Sequence, residues 1–157
     1  MPRRKYHKIE QSRFDPKYND PVVANTINNL LRRGKKSTAE RVMYDALELV
    51  QKKSGGRDPI EVYALAIRNV SPAVMVKSRR VGGATYQVPI EVRQDRRLAT
   101  AIRWLLMYSR ERKGKSFAER FSDEIVEASE NRGGAVKKKI DTHKMAEANK
   151  AFSHYRF

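Results

Sequence analysis

Apolar residues recur at helical spacing along most of this chain, and the one place where that period changes sets what the chain can become. Within KSRRVGGATYQVPIEV, residues 77–92, Tyr86, Val88, Ile90 and Val92 alternate with Thr85, Gln87, Pro89 and Glu91. Alternation of this kind belongs to a strand with one face buried. Gly82-Gly83 supplies the positive φ values that a tight hairpin turn needs. Pro89 cannot donate to a ladder, so its side of the strand faces outward, which a two-stranded ribbon tolerates and a central strand does not. The chain therefore reads as mainly α, with one β-hairpin over 74–92 protruding from a body of about six helices. A two-residue loop would set Val81 against Ala84, Arg79 against Tyr86 and Lys77 against Val88. A three-residue loop would shift every pair, and the sequence leaves the register open.

Helix boundaries follow from caps and stripes. Asp20 caps a helix that has Pro21 at its first position, with Val22, Val23, Thr26, Ile27, Leu30 and Leu31 on one face and Gly34 at its end. Ser37-Thr38-Ala39-Glu40 reads as a capping box ahead of Ala39, Val42, Met43, Ala46, Leu47 and Val50. Asp58-Pro59 starts a third helix, which Ser71-Pro72 closes. Beyond the hairpin Asp95 or Gln94 precedes a fourth helix, which carries Leu98, Ala101, Ile102, Trp104, Leu105, Leu106 and Tyr108. It reads as the most apolar and the central one. Ser116-Phe117-Ala118-Glu119 is a second capping box, and a weakly amphipathic helix runs from about 135. Residues 1–20 are basic and turn-rich and lack periodicity. They read as a flexible N-terminal arm, with residues 21–157 as a single helical domain.

Charge narrows the function. The 157 residues carry 34 Lys and Arg against 18 Asp and Glu, a formal +16. An excess of this size repels itself in the compact state unless a polyanion relieves it, and nucleic acid is the commonest such partner. The bases gather where the chain turns: Arg3, Arg4 and Lys5; Arg32, Arg33, Lys35 and Lys36; Lys77, Arg79 and Arg80; Arg93, Arg96 and Arg97; Arg110, Arg112, Lys113 and Lys115; Lys137, Lys138 and Lys139. Phosphate contacts from such turns supply affinity and steep salt dependence. In the two-residue register Arg79 and Tyr86 share one surface, where a guanidinium stacks on the ring or both meet a base. The turn 110–115 is assigned to RNA on charge alone.

Other classes find little support. There is no cysteine, no apolar run near the ~18 residues of a membrane span, and no phosphate-binding or dinucleotide-binding glycine motif. The expectation is a soluble protein of a cytosol-like compartment with no cofactor, no metal and no small-molecule substrate. The histidines His7, His143 and His154 lack metal-ligand spacing, and His143 reads as a solvated group or a backbone contact. Asp123, Glu124 and Glu127 have no obvious partner base and read as a solvated acidic face. Phe152, Tyr155 and Phe157 read as a docking strip. A DNA-architectural protein would carry an apolar wedge at the arm tip, where this chain has Val81-Gly82-Gly83-Ala84 flanked by arginines. A processing enzyme would need an acid–base constellation that is missing.

Several strings complete the picture: SRRVGGATYQVPIEV (78–92), ALAIRNV (64–70), RWLL (103–106), GGAVKKK (133–139) and MAEANKAFSHYR (145–156). In order and over nearly the whole chain, they resemble the bacterial form of small-subunit ribosomal protein seven. The resemblance implies a helical domain with a β-hairpin arm. It implies a structural, non-enzymatic protein that binds the 3′ major domain of 16S-type rRNA first and nucleates assembly of the small (30S) subunit head in the cytoplasm. It places the protein near the decoding region and the exit-site tRNA, in contact with small-subunit proteins nine and eleven. In some bacterial members the protein also represses translation of its own messenger RNA. Carried over by position, the rRNA-facing groups are Arg3, Arg4, Lys5, Lys35, Lys36, Lys77, Arg79, Arg80, Arg93, Arg96 and Arg97. The tRNA-proximal groups are Arg79, Arg80, Val81, Gly82, Gly83 and Ala84 at the hairpin tip, with Lys137, Lys138, Lys139, Lys144 and Asn149.

Overall fold

Most element boundaries obey the local rules above. The computed structural model describes residues 14–155. Helix α1, Pro21–Leu30, begins where Asp20 Oδ1 accepts from the amides of Val22 and Val23 at 2.6 and 2.9 Å. Helices α2, Lys36–Lys53, and α3, Pro59–Val70, follow, the latter capped by Asp58. Strands β1, Val74–Val81, and β2, Ala84–Glu91, pair antiparallel. Then come α4, Gln94–Glu111, α5, Phe117–Ser129, and α6, Gly134–Ala148, and a short 3-10 helix, Lys150–Tyr155.

Two helix starts differ from expectation. Arg33 and Gly34 both take positive φ, which lets the chain re-enter helix at Lys36. Ser37 therefore lies inside the first turn of α2 and makes no capping box. Glu40 pairs instead with Lys36 at 3.7 Å. Likewise α4 begins at Gln94 without a side-chain cap, and Asp95 pairs back to Arg93 at 3.4 Å. The box at Ser116 and Glu119 is present with both its bonds.

The core joins the inner faces of all six α-helices. Val23 and Ile27, Met43, Leu47 and Val50, Tyr63, Ala66 and Val70, Ile102 and Leu105, Phe121 and Ile125, and Ala135 and Val136 are buried together. Burial of each large side chain contributes about 1.5–3 kcal/mol. The widest packing belongs to α5, against α2, α3 and α4, so α5 rather than α4 sits at the centre. The sequence hid this because α5 interleaves its apolar positions with acids. Those acids are paired rather than left to solvent alone, and Glu124 among them is buried. Lys53 meets Asp123 at 2.5 Å, and Arg112 Nε donates to Glu124 at 2.6 Å and Arg112 Nη1 to Glu127 at 3.0 Å. Glu124 is 1% exposed and also accepts from the Ala135 amide at 2.8 Å, tying α6 to α5. Arg112, at the end of α4, thus locks three helices, and the two carboxylates push its pKa further up. The guanidinium assigned to RNA on charge alone is thus engaged inside the molecule.

The hairpin adopts the two-residue loop, with Gly82 and Gly83 at φ 57° and 87°. Val81 pairs with Ala84, Arg79 with Tyr86 and Lys77 with Val88. Its base is held to α6, where the Ala73 amide donates to His143 Nε2 at 3.1 Å, and is closed by Val92 N–H to Ala73 C=O at 2.9 Å. His143 is therefore a backbone contact. The described end of the N-terminal segment is anchored too. Asp15, buried, accepts from the Tyr44 hydroxyl at 2.8 Å, and Tyr18 packs edge-on against Tyr44.

Candidate nucleic-acid interface

Two groups of predicted site residues are brought together by the fold. In the first, the turn after α1 meets the turn after α4. Leu30, Arg32, Lys35, Thr38, Val42, Arg110, Phe117 and Arg120 line a groove of about 360 Å³. Among the described residues no carboxylate lines it. Its floor is apolar and its rim carries four cations. Burial lowers the Arg110 pKa, and the neighbouring charge of Arg32 lowers it further. Holding like charges close in this way is unfavourable until an anion enters.

Arg120 is the member that sequence reasoning missed. It lies on α5, inside a helix rather than at a turn, so a search for clustered bases passes over it. Its Nη1 donates to the backbone carbonyls of Arg110 and Arg112, each at 3.2 Å, and its guanidinium lies over the Phe117 ring at 5.8 Å. It therefore fixes the 110–115 turn beside the groove. Arg33, Lys113 and Lys115 stand exposed next to these residues in the chain.

The second group comprises the hairpin, α6 and the C-terminal 3-10 helix. The register assigns side chains to faces, because partners across an antiparallel pair point to the same side. Lys77, Arg79, Val81, Ala84, Tyr86 and Val88 share one face, and Ser78, Arg80, Thr85 and Gln87 share the other. The two neighbouring arginines therefore point apart. Arg80 is exposed and forms no ion pair among the described residues, whereas Arg79 Nη1 donates to the Tyr155 carbonyl. The surface on which Arg79 and Tyr86 were expected to meet a base is filled by the protein's own tail. Phe152 and Tyr155 lie on Tyr86 with ring centroids 5.2 and 5.1 Å away.

The lysine run on α6 is also divided. Lys137 is exposed, Lys138 is half-buried, and Lys139 Nζ donates to the Asn69 carbonyl at 2.8 Å, its pKa lowered by burial. Lys139 thus serves the joint between α3 and α6. Lys144 is exposed, and Asn149 Nδ2 donates to the Met145 carbonyl at 2.7 Å. Arg97 Nε donates to the Val92 carbonyl at 2.8 Å, closing the hairpin exit, while Arg93 and Arg96 are exposed. Arg3, Arg4 and Lys5 lie outside the described residues. Among the described residues no helix is long and apolar enough to cross a membrane, and no cluster of His, Asp or Glu has the grouping of a metal site.

Comparison with known proteins gives the family. Residues 2–150 match the family model described as Ribosomal protein S7p/S5e. The chain is 57% identical over its full length, and over the full length of the relative, to small ribosomal subunit protein uS7 of Anaeromyxobacter sp. (strain K). It is 57% identical over 91% of both chains to the uS7 protein of Acetivibrio thermocellus. It is 54% identical over the whole of both chains to that of Cellvibrio japonicus. The family match over residues 2–150 and the full-length similarity to these proteins give one conclusion: the chain belongs to the ribosomal protein S7p/S5e family, as a bacterial-type, structural and non-enzymatic member.

Proposed function

We propose that this protein is a structural component of the small ribosomal subunit that binds 16S-type rRNA in its 3′ major domain and organises the subunit head. The observation that carries the reading is the groove between the turns after α1 and α4, where Arg32, Lys35, Arg110 and Arg120 surround an apolar floor with no carboxylate among the described residues. RNA helices of A-form geometry are held by phosphate and shape, while unpaired segments admit side chains. A rigid body with cations fixed at separate turns holds RNA helices at set angles and so prepares a junction for later proteins. Proximity to the exit-site tRNA through the hairpin tip and α6, and contacts with small-subunit proteins nine and eleven, belong to the same proposal. The exposed Arg80, Lys137 and Lys144 support its tRNA side.

The test is a variant series against a 3′-major-domain rRNA fragment, titrated across salt. Lys35→Ala and Arg110→Ala are expected each to lower the log–log salt slope by about one and the affinity several-fold. Unchanged slopes in both would remove the groove from the interface.

A further inference from the structure

An isolated two-stranded ribbon is marginal in water, so this hairpin needs support beyond its own ladder. Its base is held by α6, but its outer half extends past that contact. There the 3-10 helix Lys150–Tyr155 lies along β2. Tyr86 is covered by Phe152 and Tyr155, the latter ring tilted by only 31°, and Arg79 reaches over to the Tyr155 carbonyl. The same face continues inward to Val88, which is 3% exposed. On the opposite face Ser78, Arg80, Thr85 and Gln87 are exposed.

We propose that the C-terminal segment is an intrachain clamp that orders the hairpin by gripping Tyr86 and Arg79, and that it leaves the Arg80 face as the side of the arm that meets RNA. Tyr86 is then a positioning residue. It touches no nucleic acid and acts by holding Arg80 in place. Two adjacent arginines, alike in sequence, do different work: Arg79 anchors the tail and Arg80 contacts phosphate. The assignment of the Arg80 face rests on the RNA-binding reading above, whereas the clamp does not.

Two measurements on the full-length protein separate these parts. Amide hydrogen exchange without RNA reads the clamp. Tyr86→Ala and Phe152→Ala are each expected to speed exchange in β1 and β2 about tenfold, leave α2 and α3 protected, and Tyr86→Phe is expected to restore protection. Salt-titrated binding to the rRNA fragment reads the face. Tyr86→Ala is expected to weaken binding with the salt slope unchanged, because no phosphate contact is lost. Arg80→Ala is expected to lower the slope by about one without altering exchange. Unchanged hairpin exchange in both ring variants overturns the clamp. A slope that falls as far in Tyr86→Ala as in Arg80→Ala places the Tyr86 face on RNA and overturns the face assignment. If the wild-type protein binds no RNA, the ribosomal reading fails while the exchange experiment still decides the clamp.

Discussion

Single residues in this protein divide into those that hold the body and those left to face a partner, and net charge does not tell them apart. Arg112, Lys113 and Lys115 look equivalent in the string RERKGK. Yet Arg112 neutralises Glu124, which is 1% exposed, while the two lysines are exposed. Removing one partner of a buried pair leaves an uncompensated charge and costs about 3–5 kcal/mol. Arg112→Ala is therefore expected to lower the melting temperature by well over ten degrees, and Lys113→Ala with Lys115→Ala to leave it unchanged while flattening the salt dependence of RNA binding. Thermal melts and salt titrations of the two proteins check this. Trp104 is 7% exposed on α4, so Trp104→Ala is expected to cost about 3–5 kcal/mol in denaturant unfolding. Gly134 is needed for close approach rather than for its φ. A Cβ there would come within 2.5 Å of Tyr108 Cδ1. Gly134→Ala is expected to cost about 1–3 kcal/mol by overpacking, measured in the same way.

At the scale of elements, what was legible is what is local. Asp20, Asp58 and Ser116 cap the helices they were expected to cap, because a cap involves residues two or three apart. The hairpin was readable from its alternation and its glycines, although the register waited for the structure. The start of α2 was misjudged because positive φ at Arg33, a residue that seldom adopts it, cannot be read from residue type. The acids of α5 were misjudged because their partners, Arg112 and Lys53, arrive from α4 and α2. The joint between the hairpin and α6 carries its own prediction. Burial holds the His143 pKa below the ordinary histidine value, and the charge of Lys139 adds to this. The neutral ring is the form that accepts from Ala73. The unfolded chain, titrating near pH 6.5, therefore binds the proton more readily, so stability is full above that value and declines as pH falls below it. Glu91 and Glu147 line the same groove as the ring. Urea midpoints between pH 7.5 and 5.5 are expected to fall with acid in the wild type, and to fall less in His143→Gln.

The whole molecule shows why the candidate site was only partly readable. Positive clusters were legible at turns, since turns are where bases escape the core. Which clusters converge depends on how helices pack, and that is tertiary. The turns after α1 and α4 are far apart in the chain and meet in one groove, completed by Arg120 from a third element. Arg79 and Lys139 were counted with their neighbours as RNA contacts, but their hydrogen bonds run to Tyr155 and Asn69 within the chain. The formal charge of +16 is in this sense larger than the charge offered to a partner. Lys35, Arg80, Arg110, Lys113 and Lys115 are among the cations that stay exposed, fixed in position by the fold.

The most direct test of the central claim is equilibrium binding of the purified protein to the 3′-major-domain junction of 16S-type rRNA, titrated from low to high salt with duplex DNA as competitor. A log–log slope equivalent to roughly 6–10 phosphate contacts is expected, with an affinity that equimolar DNA does not reduce. An equally steep slope with DNA competing evenly would contradict it, and would make the basic turns a general clamp for polyanions rather than a scaffold for one RNA.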